Sequence, residues 1–191
     1  MSQLSQPELV RVVQALLLAA NEPLNLDRLV EVFEAHQRPD RSSLKAAVEQ
    51  LQRESAGTSQ ELAEVAGGFR YRIRSEYAPW ISRLSEEKPP RYSRALLETL
   101  ALIAYRQPVT RGEIEDVRGV SVSSQIIRTL EEREWIRVIG YREVPGRPAL
   151  YATTRHFLDY CGLKSLNQLP PLDALRELVD TEEEWHDELD K

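Results

Sequence analysis

The chain has 191 residues, of which 41% are hydrophobic and 29% charged, a composition typical of one or two small soluble domains. It contains no apolar run near the roughly 20 residues that cross a bilayer, and its N-terminus lacks the basic start and cleavage site of a signal peptide, so we expect a cytoplasmic protein with no membrane contact. The single cysteine, Cys161, excludes an internal disulfide, and we interpret it as a buried small hydrophobe.

The net charge of −6 is distributed unevenly along the chain. Residues 1–88 carry a net −2, residues 89–169 a net +3 and residues 170–191 a net −7. The acidic end repels phosphate and stays solvated, and the middle segment is only mildly basic. Dedicated nucleic-acid binders have a much stronger basic footprint, so we expect no direct sequence-specific binding of nucleic acid.

Three amphipathic helices are predicted at the start of the chain. Apolar residues recur at helical spacing over residues 7–20. Asn25 is a good N-cap for a second helix, because its side-chain oxygen can accept a hydrogen bond from the first turn. A break at residues 38–40 precedes a third helix, whose inner face carries Leu44, Val48 and Leu51.

A β-hairpin and a short helix follow. Strands over residues 61–66 and 69–74 flank Gly67-Gly68, which we expect to form the two-residue turn because glycine adopts positive φ angles readily. The second strand alternates, with three arginines on one face and Phe69, Tyr71 and Ile73 on the other. We expect the short helix, over residues 77–84, to pack through Trp80, Ile81 and Leu84.

The second part of the chain repeats this plan after a polar linker, residues 86–90, whose paired prolines cannot continue a helix. Helical spacing predicts a helix around Leu100. Thr110 and Glu113 form a Thr-x-x-Glu capping box for the next helix. Ser121 is expected to cap a third one.

A hairpin with strands over residues 135–141 and 149–153 and a short helix around Phe157 complete the second part. The two parts also match at an offset of 85: Leu17 with Leu102, Pro23 with Pro108, Asn25 with Thr110 and Leu29 with Ile114. Such self-similarity indicates one fold used twice. Three short helices followed by a hairpin are typical of the winged helix. We therefore predict a mainly α chain with small β-hairpins (α+β), built from tandem winged-helix domains.

We place the first domain at residues 1–85 and the second at residues 91–172, joined by the linker at 86–90. Residues 173–191 form an acidic tail that we expect to be disordered, because its charge outweighs a weak helical pattern. An amphipathic segment that docks on a partner is the alternative interpretation of the tail.

The arginine face of the first hairpin, formed by Arg70, Arg72 and Arg74, is the best candidate for a phosphate contact. With the turn at residues 67–68, Arg74 lies opposite Glu61 and can form a cross-strand ion pair. We favour a solvated strand face over a phosphate site.

Two loops of the second part are candidates for a protein-binding surface. The first joins two helices and contains Tyr105, Arg106, Gln107, Thr110 and Arg111. Tyrosine and arginine are enriched at binding hot spots, while a stiff turn around a proline is the other interpretation of this loop. The second loop is the wing tip, whose prolines reduce the entropy lost on binding; it consists of Pro145, Gly146, Arg147 and Pro148.

DNA binding is the second interpretation of the fold. The predicted third helix of the second part offers Gln125 and Arg128 to a duplex, but three glutamates follow directly and oppose a phosphate backbone: Glu131, Glu132 and Glu134. A winged-helix DNA-binding transcriptional regulator is therefore the alternative function.

The chain has no glycine-rich phosphate loop, nucleophile elbow or Cys/His cluster, so we expect no enzymatic activity, cofactor or metal.

Several long blocks between residues 88 and 172 carry a family resemblance. They are residues 88–115 (beginning Lys-Pro-Pro-Arg-Tyr-Ser), 118–120 (Arg-Gly-Val), 145–154 (Pro-Gly-Arg-Pro-Ala-Leu-Tyr-Ala-Thr-Thr), 157–158 (Phe-Leu) and 162–172. These blocks resemble the signature of the segregation and condensation protein B family, a non-enzymatic accessory subunit of the bacterial condensin. The N-terminal half resembles the family more loosely, through its helix order and Gly67-Gly68-Phe69-Arg70.

The resemblance implies a homodimer formed largely through the N-terminal domains. It implies a partner, the kleisin subunit segregation and condensation protein A, which bridges a structural-maintenance-of-chromosomes (SMC) ATPase. This SMC–kleisin complex compacts and separates replicated chromosomes, so the chain is expected to associate with the nucleoid through it. By position, the interhelical loop and the wing tip fall in family motifs, and they are the expected kleisin contacts.

Overall fold

A computed structural model describes residues 4–84 and 92–171 of the chain. The predicted linker at 86–90 and the predicted acidic tail at 173–191 lie outside the described residues. Helices and strands form two sets, one before and one after residues 85–91, which we call the N-terminal half and the C-terminal half. Within these ranges no helix has the length and apolarity needed to span a membrane.

The N-terminal half follows the predicted order of three helices, a hairpin and a short helix. Asn25 caps the second helix as predicted, since its side chain accepts a hydrogen bond from the Arg28 N–H at 2.8 Å. Asp40 caps the third in the same way. The elements are α1 Gln6–Ala19, α2 Leu26–Val32, α3 Arg41–Glu54, β1 Gln60–Val65, β2 Gly68–Ile73 and α4 Ala78–Leu84.

The predicted turn of the first hairpin is wrong by one residue. Val65 pairs with Gly68, so Ala66 and Gly67 form the turn, and Glu61 lies opposite Arg72 instead of Arg74. Gly68 belongs to β2, where Phe69 exchanges two hydrogen bonds with Leu24 (N–O 2.9 and 3.0 Å). A Cβ on Gly68 would lie 2.4 Å from the Leu24 backbone, so this close approach requires the glycine.

The predicted packing of the short helix α4 is also wrong. Trp80 is 64% exposed and Leu84 is 84% exposed, and Ile81 is exposed as well. The first core is closed without them, by apolar residues of α1, α2, α3 and β1 with Phe69 and Tyr71 against it. The fully buried members include Val13, Leu29, Leu44, Val48 and Leu51.

The C-terminal half has the same plan with one more strand. Its elements are α5 Arg94–Arg106, β3 Val109–Thr110, α6 Arg111–Arg118, α7 Ser124–Glu132, β4 Ile136–Tyr141, β5 Ala149–Thr153 and α8 Arg155–Cys161. The strands form one antiparallel sheet in the order β3-β5-β4. The Thr110–Glu113 capping box is confirmed, whereas Ser123, and not Ser121, caps α7.

The offset of 85 residues has a structural basis. Leu24 and Val109 hold the same place, each pairing with a strand of the wing just before the cap of the next helix. Leu29 and Ile114 are both buried at the centre of their halves. Each half is therefore a winged helix with its own core, which confirms the predicted tandem fold. The second core includes Leu100, Ile103, Ile114, Val122, Leu130, Trp135 and Phe157.

One further expectation is wrong. Cys161, at the end of α8, is exposed and not part of either core. Partial desolvation by its neighbours raises the pKa of the thiol, which disfavours the thiolate that a nucleophile needs.

Candidate partner-binding surfaces

Gln107 in the loop between α5 and α6 has a structural role. Its Oε1 accepts a hydrogen bond from the Thr153 N–H at 2.7 Å, and its Nε2 donates to the Ala104 carbonyl at 3.1 Å. The side chain therefore joins the end of α5 to the end of β5. Both of its polar ends are used inside the C-terminal half, so Gln107 shapes the loop and presents little to a partner.

Thr110 is also turned inward. It is 4% exposed, and its hydroxyl accepts a hydrogen bond from the Glu113 N–H at 3.3 Å. The Glu113 carboxylate in return accepts from the Thr110 N–H at 2.8 Å and pairs at 2.8 Å with Arg142, the residue that follows β4 in the wing. The Thr110 backbone hydrogen bond, with Arg142, lowers the pKa of Glu113. Thr110 thus fixes α6 against the wing.

Arg111 connects α6 to α7. Its Nε lies 3.0 Å from the Glu115 carboxylate, and its Nη1 donates to the Ser124 hydroxyl at 3.0 Å. Glu115 also accepts from the Val122 N–H at 2.8 Å, which lowers the pKa of its carboxyl together with Arg111. The guanidinium is half-exposed, but it binds Glu115 of α6 and Ser124 of α7 within the same half.

Tyr105 and Arg106 point to different surroundings. The Tyr105 hydroxyl donates to the Pro170 carbonyl, and desolvation raises the pKa of the phenol. Arg106 is exposed and has no hydrogen-bond or ion-pair partner among residues 4–84 and 92–171. It lines a shallow cavity of about 310 Å³ beside Pro108, Asp116 and Val117. Arg106 is therefore the member of the loop that is available to a partner.

The wing tip is exposed over Pro145, Gly146 and Arg147. Gly146 and Arg147 both have positive φ angles, +87° and +38°, so the tip is a tight turn. Arg147 lies 3.3 Å from Glu143 of the same loop, a contact between two largely exposed side chains. Pro148 is half-buried and its carbonyl accepts from the Arg142 N–H at 2.9 Å.

The two candidate loops meet at only one end. Thr110 pairs with Leu150, two residues beyond Pro148, so the start of α6 lies beside the wing. Gln107 instead contacts Thr153 at the far end of β5. At about 3.3 Å per residue, the two ends of this strand are separated by roughly 13 Å. Arg106 and the wing tip therefore lie near opposite ends of β5.

The arginine face of the first hairpin is partly neutralised. Glu61 binds Arg72 at 2.6 Å and Arg74 at 3.2 Å, so the predicted ion pair with Arg74 forms although the register differs. Arg74 also donates to the carbonyls of Thr58 and Ser55. Arg70 is exposed and has no such partner in the described part of the chain. This arrangement favours a solvated strand face, and a phosphate contact stays a prediction.

Sequence reasoning missed an exposed apolar surface around α4. We call it the α4 patch; its members are Trp80, Ile81 and Leu84. The Tyr77 ring lies 6.3 Å from the Trp80 ring and extends the patch. Apolar groups of this size are rarely exposed together without a binding role. Helical spacing indicated that these residues share a face, but not that the core is already full.

The predicted recognition helix α7 has a mixed charge. Arg128 lies 2.8 Å from Glu132, one turn along the same exposed face. The Glu131 and Glu134 side chains are exposed beside it. The three glutamates oppose a phosphate backbone and so offset the attraction that Arg128 would provide.

Across the described residues no group of three or more histidine, cysteine, aspartate or glutamate side chains is arranged to hold a metal ion.

Comparison with known proteins assigns the family. The model described as segregation and condensation complex subunit ScpB matches residues 11–172. A segregation and condensation protein B homolog from Coxiella burnetii is 49% identical over 178 residues, covering 93% of this chain and 85% of that protein. The solved structure of ScpB from Mycobacterium tuberculosis is 33% identical and covers 85% of this chain and 99% of its own, with a TM-score of 0.41.

A second solved structure is described as a dimer of the ScpB N-terminal domain complexed with ScpA peptide. It is 28% identical, covers 40% of this chain and 93% of its own, and has a TM-score of 0.36. The family model spans more than half of the chain and the Coxiella relative is matched over most of its length. The chain therefore belongs to the segregation and condensation protein B family.

Proposed function

We propose that this chain is a non-enzymatic accessory subunit that binds the kleisin, segregation and condensation protein A, in the cytoplasm. Through the kleisin it joins an SMC ATPase on the nucleoid and supports chromosome condensation and segregation. The observation that carries the proposal is membership of a family described as a subunit of the segregation and condensation complex. Exposed surfaces suited to polypeptides, with no strong basic footprint, support it.

The kleisin surface is proposed on the C-terminal half, from Arg106 to the wing tip. The Arg106 guanidinium, which has no partner among the described residues and lies beside a shallow cavity, can form bidentate hydrogen bonds to a carboxylate of a bound segment. Pro145, Gly146 and Arg147 supply a pre-ordered loop at the other end. The remaining members of the first loop act as positioning residues, because their polar atoms are bound within the half; they are Tyr105, Gln107, Thr110 and Arg111.

The homodimer is proposed to form through the α4 patch of the N-terminal half. A two-fold dimer brings the same patch of both copies together, so Trp80 and Leu84 of one copy are covered by the equivalent helix of the other. Aromatic and aliphatic side chains at the centre of an interface supply most of its free energy. The first winged-helix domain, residues 1–85, is then the dimerisation domain, and the second, residues 91–172, is the kleisin-binding domain.

Co-purification with the kleisin, followed by light scattering, tests this function. The full-length chain is expected to elute with the kleisin at micromolar concentration, in a complex whose mass contains two copies of this chain. Absence of a complex would reject the proposal. A gel-shift titration in physiological salt is the companion measurement, and nanomolar, sequence-dependent DNA binding by the isolated chain would favour the transcriptional regulator instead.

A further inference from the structure

The turn of the first hairpin makes its hydrogen bonds to the other half of the molecule. In a two-residue hairpin the two turn amides have no acceptor on the opposite strand, and buried amides need one. Here the Ala66 N–H donates to the Leu163 carbonyl at 2.9 Å. The Gly67 N–H donates to the Asp159 carboxylate at 2.6 Å. Both acceptors lie at the end of α8 or just beyond it, so the C-terminal half completes the turn.

Charged side chains surround these two hydrogen bonds. Lys164 Nζ lies 2.6 Å from the Glu64 carboxylate, which joins the segment after α8 to β1. The Arg72 guanidinium lies against Gly162, where a Cβ would come within 2.5 Å of Nη1. Gly162 has a φ of +71° and ends α8 in the left-handed conformation. The contact therefore includes backbone, an ion pair and a close approach.

Gly67 is explained by this contact and not by the turn. Its φ is not among the positive values that require glycine. A Cβ at residue 67 would lie 2.5 Å from the Asp159 Oδ2 atom, closer than van der Waals contact allows. A methyl group at this position would require the Asp159 carboxylate to move from its present place against the turn. The residue thus fits an interface between the halves.

We propose that the first wing is an intramolecular latch: its Ala66–Gly67 turn docks on the end of α8 and fixes the orientation of the two winged-helix halves. The latch sets the angle between the α4 patch and the Arg106 surface. It also occupies the wing turn and Arg72 with contacts within the chain, so neither is available to a phosphate backbone. The latch forms within one chain, whichever partner each surface binds.

The contacts differ in strength. A carboxylate that accepts from a backbone N–H forms a charge-assisted hydrogen bond, roughly twice as strong as a neutral one. An ion pair between exposed side chains, such as Glu64 with Lys164, contributes less because water screens it. The hydrogen bond between Asp159 and Gly67 is therefore expected to hold the latch closed. The ion pair between Glu64 and Lys164 is expected to favour the correct alignment of β1 with the segment after α8.

A distance measurement between the halves tests the latch. Spin labels are placed on exposed residues of α3 and α7, with Lys45→Cys and Gln125→Cys in a Cys161→Ser background, and labelled chains are diluted with unlabelled ones so that distances within one chain dominate. The parent is expected to have one narrow distance. Gly67→Ala or Asp159→Ala should lower the ratio of docked to undocked chains roughly tenfold, seen as a broader distribution.

Gly112→Ala is the matched control, because a methyl group on Gly112 would have nothing within 4 Å and the residue lies in α6, away from the latch. It should keep the narrow distance. Circular dichroism confirms that each variant keeps its helices. An unchanged distribution in both Gly67→Ala and Asp159→Ala would overturn the latch, as would a parent distribution that is already broad.

A charge exchange supplies the second test. Glu64→Lys places two positive charges together and should open the latch partly, and Lys164→Glu should do the same with two negative charges. The double variant Glu64→Lys with Lys164→Glu should restore the parent distance. Glu143→Lys, an exposed change in the loop of the second wing, controls for net charge. If the double variant keeps the broad distance distribution of the single variants, the Glu64–Lys164 ion pair does not align the two halves as proposed.

Discussion

The two winged-helix halves both end in a short helix after the wing, yet these two helices have opposite surroundings. In α8, Phe157 is 4% exposed and completes the second core. In α4, Trp80 and Leu84 are exposed and belong to neither core. One fold can therefore use its last helix either to close the core or to present an apolar face.

The connection before each helix explains the difference. A single residue, Thr154, separates β5 from α8; it caps the helix by accepting from the Phe157 N–H at 3.1 Å. It also donates to the Glu134 carbonyl, which holds the start of α8 against the sheet. Between β2 and α4 stand Arg74 and a 3₁₀ turn at Ser75–Tyr77. This longer connection carries α4 away from the first core.

The largest expected effect is the difference in stability between a variant of α8 and a variant of α4. Phe157→Ala should lower the free energy of unfolding by about 3–5 kcal/mol, because it leaves a cavity in a packed core. Trp80→Ala should change it by less than about 0.5 kcal/mol at a chain concentration below that of dimer formation, because the side chain is exposed. Urea unfolding measures both. Comparable losses for the two variants would mean that α4 also closes a core.

The second prediction concerns association. Leu84→Glu places a charge in the α4 patch and should weaken the proposed homodimer roughly a hundredfold, as expected for a residue at the centre of an interface. Light scattering at micromolar concentration should then give the mass of one chain. Leu18→Glu is the matched control, since Leu18 is an exposed leucine of α1 outside the patch. A dimer that survives Leu84→Glu would place the interface elsewhere.

The third prediction tests which residues of the C-terminal half contact the kleisin. Arg106→Ala should weaken kleisin binding roughly tenfold, with no change in the melting temperature, because its guanidinium has no partner in the described part of the chain. Arg111→Ala should instead lower the melting temperature, because it removes the hydrogen bond from α6 to α7 and an ion pair within α6. Calorimetric titration and thermal unfolding separate the two effects. Arg137→Ala, also exposed, is the control.

The smallest expected effect is a difference in the pH dependence of stability between the caps of α2 and α6, which hold equivalent places in the two halves. Arg28 in α2 and Glu113 in α6 are 85 residues apart and hold equivalent positions. Of these two caps, only that of α6 therefore has a carboxylate at this position. The pKa of Glu113 is lowered in the folded chain, so its contribution to stability is present above the ordinary glutamate pKa and is lost as pH falls through the folded value. Glu113→Gln should therefore flatten the fall of melting temperature as the pH drops below the ordinary glutamate pKa.

A comparison with Asn25→Ala serves as the control for this effect. Asn25 caps α2 with an uncharged side chain, so its removal should lower the melting temperature by the same amount at every pH. If Glu113→Gln also lowers the melting temperature uniformly, the carboxylate does not titrate as its hydrogen bonds indicate.

Much of the fold was predictable because its signals are local. Helix caps such as Asn25 and Thr110 act on amides three residues away, and apolar spacing identifies the buried face of each helix. The candidate site was predictable only as two loops. Whether Gln107 faces a partner or Thr153 depends on a residue 46 positions away, which no local pattern indicates.

The sequence by itself determined the helices, the wings and their duplication, since these follow from hydrogen bonds and apolar periods within a few residues. Only the tertiary structure decided the hairpin register, the exposure of α4 and the contact between the halves. Leu24 pairs with Phe69 of β2 from outside the hairpin, and Gly67 contacts Asp159 across 92 positions of the chain. The physical reason is that such contacts depend on which surfaces meet after each core has closed.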